Sequence, residues 1–328
     1  MDSLNSTLSV PSIVHPPFFF ISGFYNIPHV KYYYIFLCFV FVVTVLGNSF
    51  VMFIICIERS FHTPKYLALF NLAVADLCGS TALIPNLIKT FLFDSQYISF
   101  NACMANMFFV YLFSSMVSLI LTALAYDRFV AICLPLRYHT IITITNMAVI
   151  LTVLWACTAL YYICAIFFIT RLSFCKSIVV DSYFCDYGPM YTLACNDNSP
   201  RHVIAYVGLA VFFCIPFLWI VLSYVFISYA LFTIATWEGR LKALKTCSSH
   251  LMLVAIYYFP DVGTHIAALH FTIHPNARII NASLCFAIPP MLNPVIYMLS
   301  TEEIKECTKK LFKRKKVAAT ETNNQIKN

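Results

Sequence analysis

Seven long apolar stretches dominate this chain, at about Tyr32–Ile57, Tyr66–Phe93, Asn101–Leu134, Asn146–Thr170, His202–Ile234, Leu241–Leu269 and Ala277–Leu299. Crossing the hydrocarbon of a bilayer takes roughly 20 such residues in a helix. Inside lipid every backbone N–H and C=O must find a partner within the protein, and a lone apolar run manages that only as an α-helix. Charged residues make up 11% of the chain, against about 25% in soluble domains. That supply is too small to solvate the two or three soluble domains that 328 residues would otherwise suggest. The expected fold is an all-α membrane protein, a seven-transmembrane helix bundle over residues 32–299.

An odd number of spans puts the two ends of the chain on opposite sides of the membrane. Arg59, Lys65, Arg137, Arg240, Lys242, Lys245 and the tail Lys309 to Lys316 all fall on one side, which the positive-inside rule makes cytoplasmic. Residues 1–31 then form an extracellular N-terminus carrying the glycosylation sequon Asn5-Ser-Thr7. They lack the basic start and cleavage site of a secretory signal, so the first span is expected to act as its own signal-anchor. A second sequon, Asn281-Ala-Ser283, falls inside a span and is expected to stay unmodified. Residues 300–313 read as a short amphipathic eighth helix on the inner leaflet, and 314–328 as a polar, disordered tail. The net charge of +7 is spread beside apolar runs rather than gathered in a patch. It points to the bilayer as a partner and not to nucleic acid.

Polar residues inside the spans are the informative ones, because a charge at the centre of a membrane helix costs roughly 2.5–3.5 kcal/mol. Asp76 needs a partner, and Asn48 and Asn293 are the available ones. The three make a hub that either ties helices together or works as a switch that holds a sodium ion. Asp127 and Arg128 end the third run. Arg128 either snorkels to the headgroups or has a function; neighbours on a helix do not face each other, so spacing does not pair them. Pro260 marks a kink in the sixth run. Cys103, Cys175, Cys185 and Cys195 lie on the outer, oxidising side, where four cysteines pair in three ways. Cys38, Cys56, Cys78, Cys157, Cys164 and Cys214 sit within apolar runs as small hydrophobes. No His or Cys spacing reads as a metal site.

Four motifs in order resemble vertebrate odorant receptors, a branch of the rhodopsin-like G-protein-coupled receptors. They are Ala125-Tyr-Asp-Arg-Phe-Val-Ala-Ile-Cys133 with Pro135-Leu-Arg-Tyr138, the loop cysteines, Leu241-Lys-Ala-Leu-Lys-Thr-Cys-Ser-Ser-His250, and Pro289-Pro-Met-Leu-Asn-Pro-Val-Ile-Tyr297. Tyr258-Phe-Pro260 and the Pro289-Pro290 pair lean toward the fish-like branch. Phe129 stands where the family has Tyr, and Ser300-Thr301 where it has Arg-Asn.

The resemblance implies the disulfides Cys103–Cys185 and Cys175–Cys195. It implies a small odorant held by Val110, Tyr111, Ser114, Ser115, Gly208, Phe212, Tyr258, Asp261, Val262, His265 and Phe286. Asp261 lies one turn from His265, so it either pairs with that ring or anchors a cationic or hydroxylated ligand. Asp127, Arg128, Tyr224, Lys242, Lys245, Asn293, Pro294 and Tyr297 would carry activation and coupling to a heterotrimeric G protein with a stimulatory, olfactory-type α subunit, raising cyclic AMP. Val117 stands where many odorant receptors carry an acidic residue, which argues against strong sodium binding at Asp76. No cofactor is implied; accessory proteins for trafficking are, along with a multi-pass place in the plasma membrane of olfactory sensory cilia. Cys307 is either a palmitoylation site or a plain buried cysteine.

Rival classes want other features. A transporter wants internal repeats and matched broken helices, and an intramembrane enzyme wants facing catalytic pairs; the sequence offers neither. A rhodopsin-like receptor for a lipid, peptide or hormone is a nearer rival, and the loop cysteines and the Lys-Ala-Leu-Lys motif favour the odorant type.

Overall fold

The computed structural model describes residues 14–24, 29–93, 96–196, 199–233, 236–270, 275–300 and 303–309. At 85, 86, 89–93, 199–202, 242, 246, 261, 264–270, 275 and 300 it describes the backbone only. Seven long helical passes account for the expected runs. The first spans Val30–Ile57, the second Pro64–Phe93, the third Phe100–Cys133 and the fourth Ile144–Ile169. The fifth runs from Ser199–Leu209 through a π turn, Ala210–Cys214, into Ile215–Thr233. The sixth is Trp237–His270 and the seventh Pro275–Ser300. Among the described residues six of these are long and apolar enough to cross a membrane, and the sixth pass matches the third at 34 residues.

Local chemistry sets the breaks. Ser99 caps the third helix, its Oγ accepting from the Ala102 N–H at 3.4 Å, and Thr143 caps the fourth through Asn146 N–H at 3.1 Å. Pro64 opens the second helix, where a missing N–H costs nothing. Pro216 has no N–H to offer the carbonyl four residues before it, and the π turn sits just there. That widened turn puts the neighbours Phe212 and Phe213 on the same interior wall.

Lipid supplies no hydrophobic drive between helices, so packing and interhelical hydrogen bonds hold the bundle. The first and seventh helices meet at Gly47, where a Cβ would sit 2.7 Å from the ring of Pro294. Trp155 Nε1 donates to Asn71 Oδ1 at 3.0 Å, joining the fourth helix to the second. Such bonds contribute about 0.6 kcal/mol each on average, so the fold rests on many small ties.

One end carries a feature absent from the sequence reading. Phe18–Ile21 (β1) pairs antiparallel with Tyr97–Ser99 (β2) and parallel with Val179–Val180 (β3), in the order β2-β1-β3. The chain before the first helix is thus woven into two loops, with Phe19 and Phe24 buried. The same end holds the bonds Cys103–Cys185 and Cys175–Cys195, with Cα atoms 5.4 and 5.9 Å apart. At the opposite end residues 303–309 form a helical turn with Ile304 buried. Glu303 there accepts from the Tyr66 hydroxyl at 3.4 Å. Residues 310–313 of the expected eighth helix, the tail, and Asn5 lie outside the described residues.

Candidate functional site

Beside the loop that carries Phe184 and Asp186 lies a cavity of about 260 Å³ among the third to seventh helices. It is near the lower end of the ~300–1,000 Å³ typical of small-ligand sites. Tyr111, Ser114, Ser115, Gly208, Phe212 and Phe286 line it, six of the eleven expected positions. Tyr162, Leu209, Phe213, Tyr257 and Cys285 complete the wall. Gly208 lies in close approach to Tyr161: a Cβ there would sit 2.5 Å from that hydroxyl, which would have to shift. The hydroxyls of the wall are tied down, with Ser115 and Tyr162 paired at 2.6 Å and Tyr257 donating to the Ser114 carbonyl at 2.9 Å.

Tyr258 is not in this wall. It is fully buried against Phe213 and Phe217, and its hydroxyl meets Ser118 Oγ at 2.7 Å, below the cavity. Tyr257 takes its place, since one residue turns a helix by about 100°. Val110 also faces elsewhere, into a second chamber, and Val262 is not among the lining side chains. The side chains of Asp261 and His265 lie outside the described residues.

The roof is the loop segment around the Cys103–Cys185 bond, residues 182–187. The Tyr111 hydroxyl donates to Asp186 Oδ1 at 2.6 Å, and the Ser182 hydroxyl approaches Oδ2 at 3.4 Å. Burial pushes the Asp186 carboxyl up from its ordinary range; Tyr111, the Gly188 N–H, the Arg278 charge and Ser182 pull it back. Phe184 closes the corner, its ring 5.9 Å from Phe286.

The second chamber is smaller, about 40 Å³, and shares Ser114, Tyr257, Cys285 and Phe286 with the first. It has room for a few water molecules and not for an odorant. Asp76 and Ser80 line it, with Val117 opposite. Asn293 Nδ2 donates to Asp76 Oδ2 at 2.8 Å. Asn48 does not join them: its Nδ2 donates to the Pro290 carbonyl at 2.9 Å, tying the first helix to the seventh. Asp76 Oδ1, Ser80 Oγ, Asn48 Oδ1 and the Tyr297 hydroxyl are buried without a hydrogen-bond partner among the described residues. Each such atom left without water would cost about 1–3 kcal/mol, and the chamber beside Asp76 and Ser80 has room for the water that would satisfy them. Two oxygens facing an apolar Val117 do not make the multi-oxygen cage a hard cation takes.

At the end away from the sheet, Arg128 Nη2 stands 3.3 Å from Asp127 Oδ2, so the adjacent residues do pair. Asp127 is buried at 1% exposure, and its Oδ1 accepts from the Tyr138 hydroxyl at 2.9 Å. Burial, then the Asp127 carboxylate, pushes the Tyr138 phenol up to about 12. Tyr224 does not meet Arg128. Its hydroxyl pairs with His250 Nδ1 at 2.8 Å, while His250 Nε2 lies 3.0 Å from the Leu121 carbonyl. A buried histidine thereby links the third, fifth and sixth helices. Sequence reasoning quoted His250 and Tyr138 within motifs without assigning them a role; a polar ring on a buried helical face was the available signal. Lys245 is exposed on the sixth helix, and the side chain of Lys242 lies outside the described residues. Leu136, between Pro135 and Arg137, is fully exposed beside this end.

The sequence profile described as "Olfactory receptor" matches residues 37–315. Olfactory receptor 51F2 of Homo sapiens is 35% identical over 319 residues, covering 96% of this chain and 91% of the relative. Olfactory receptor 52K1 of Homo sapiens is 36% identical over 92% of this chain and 96% of the relative. Olfactory receptor 1E16 of Mus musculus is 33% identical over 88% and 92%.

Proposed function

This chain belongs to the olfactory receptor family, and from that premise we propose that it binds its odorant in the 260 Å³ cavity and activates a stimulatory, olfactory-type G protein, raising cyclic AMP. The family makes it a multi-pass plasma-membrane receptor and not an enzyme. The observation that carries the site assignment is the convergence of Tyr111, Ser114, Ser115, Gly208, Phe212 and Phe286 from the third, fifth and seventh helices on one space. The lining is aromatic and apolar with a few hydroxyls, which suits a small, mostly hydrocarbon ligand with one or two polar atoms.

On this reading the end with the sheet and disulfides faces outward, in sensory cilia, and the basic end faces the cytoplasm. Signal crosses as a population shift: ligand must favour the active form over the resting one, or nothing moves. The sixth helix swings at its cytoplasmic end about Pro260, the Tyr224–His250 link parts, and Arg128 leaves Asp127 for Tyr224 and the α subunit. Lys242, Lys245, Pro294 and Tyr297 border the opening. Asp261, one turn from His265, either pairs with that ring or anchors a cationic or hydroxylated ligand; an unchanged amine response in Asp261→Asn removes the anchor.

The test is cyclic AMP in cells expressing the chain with a stimulatory α subunit, challenged with pooled odorants and stained for surface receptor. A saturable rise supports the assignment; silence across pools and α subunits at full surface level removes it. Leu136 offers a sharper check. On this reading Leu136, fully exposed at the basic end, is assigned to the contact with the α subunit. Leu136→Asp is expected to cut the cyclic AMP maximum roughly tenfold with surface staining unchanged; an unaltered maximum would take this loop out of the interface.

A further inference from the structure

We propose that Asp186 is the positioning residue that keeps the outer loop shut over the odorant cavity, through the bond it accepts from Tyr111. The proposal rests on the cavity assignment above, and its test needs no odorant. Residues 182–187 are fastened to the third helix at three levels. Cys185 is bonded to Cys103. One step deeper, the Cys185 N–H donates to Asn106 Oδ1 at 3.3 Å, and Asn106 Nδ2 donates to the Ala82 carbonyl at 2.8 Å. Deepest of the three is the 2.6 Å bond between the Tyr111 hydroxyl and Asp186. Positions 103, 106 and 111 fall along one side of the helix.

The three ties differ in what they control. The disulfide and Asn106 hold the loop at Cys185, on the rim. Beyond it the second disulfide, Cys175–Cys195, closes within the loop itself and ties nothing to the bundle. The stretch carrying Tyr187, Met190 and Tyr191 therefore depends on noncovalent contacts to stay down. Tyr111 sits on both sides of that boundary. Its ring is cavity wall, 6.0 Å from Tyr162 and from Phe184 and 6.3 Å from Tyr187, and its hydroxyl is in the roof. Releasing the carboxylate frees the roof to lift and the Tyr111 ring to turn, opening the cavity to the outside.

Cys285 reports this directly, since its side chain lines both chambers on the seventh helix. Intact cells are treated with 2-(trimethylammonium)ethyl methanethiosulfonate, which does not cross membranes, and modification of Cys285 is followed by peptide mass spectrometry with Cys285→Ser as background. Slow modification is expected in the natural protein. Asp186→Ala and Tyr111→Phe are each expected to raise the rate about tenfold, the size of effect a hydrogen bond to a charged group supports. The double variant should go no further than Asp186→Ala alone, because that change already removes the bond Tyr111→Phe removes. Asp186→Asn keeps an acceptor and should stay within about threefold of the natural rate. Unchanged rates in both single variants, or multiplied rates in the double one, overturn the proposal. Should Asp186→Ala fail to reach the surface, Tyr111→Phe decides alone, since it removes one oxygen. Absence of any odorant response would count against the cavity assignment and leave these rates standing.

Discussion

Cys103→Ser is expected to lose most of its surface receptor, falling roughly tenfold or more in staining of an N-terminal tag on unpermeabilised cells. The bond it removes joins residues 82 apart in sequence, and closing a loop of that size contributes about 4–5 kcal/mol on the chain-entropy account. No group of hydrogen bonds near it matches that, at about 0.6 kcal/mol per interhelical bond. The loss also frees Phe184 from its place between Tyr111 and Phe286, so the roof and the folded bundle fail together. Cys175→Ser makes the contrast. Its loop is short, at a separation of 20, worth about 3 kcal/mol. Other ties hold the same ends: the Cys195 N–H donates to the Ser173 carbonyl at 2.9 Å, and Asn196 bridges the Ser173 N–H and the Arg171 carbonyl at 3.0 Å each. More than about half of the surface signal should survive there. Equal losses in the two variants would show that the long-range bond has no special place in the fold.

What was legible in the sequence follows from how far each feature reaches along the chain. The helices were legible because each is a continuous run in which every residue argues for lipid; the first is expected at Tyr32–Ile57 and forms at Val30–Ile57. Phe18–Ile21 was not, since strands of two to four residues have no measurable period and their partners lie far away in sequence. The cavity was legible as a region and less so as a list. Knowing that the sixth helix lines it does not fix its rotation, and a single residue of phase separates Tyr257 in the wall from Tyr258 beneath it. On the fifth helix the π turn brings Phe213 beside Phe212, a register that period 3.6 does not give. Helical spacing does not pair Asp127 with Arg128, yet the long arginine side chain reaches back to its neighbour's carboxylate. Asp186 carried no signal of its own, because its partner Tyr111 is 75 residues away.

Asp127 and Arg128 should move signalling in opposite directions, though they form one pair. Arg128→Ala is expected to abolish the cyclic AMP response at normal surface level. Its side chain is only 14% exposed and, among the described residues, its ion-pair partner is Asp127. Under the proposed function the guanidinium is what the active state turns toward the α subunit. Asp127→Ala removes the resting restraint and leaves Arg128 intact, so basal cyclic AMP should rise. A partly buried pair with one hydrogen-bonded carboxylate supports roughly 1–2 kcal/mol of bias, or about five- to thirtyfold in the balance of states. Tyr138→Phe takes away only the 2.9 Å bond to Asp127, so its basal rise should be smaller, about two- to fivefold. Ranking the three by basal cyclic AMP per surface receptor checks the reading at once. Should Asp127→Ala lower basal signalling as Arg128→Ala does, the pair would be a structural tie, and the release step would have to be sought at Tyr224 and His250 instead.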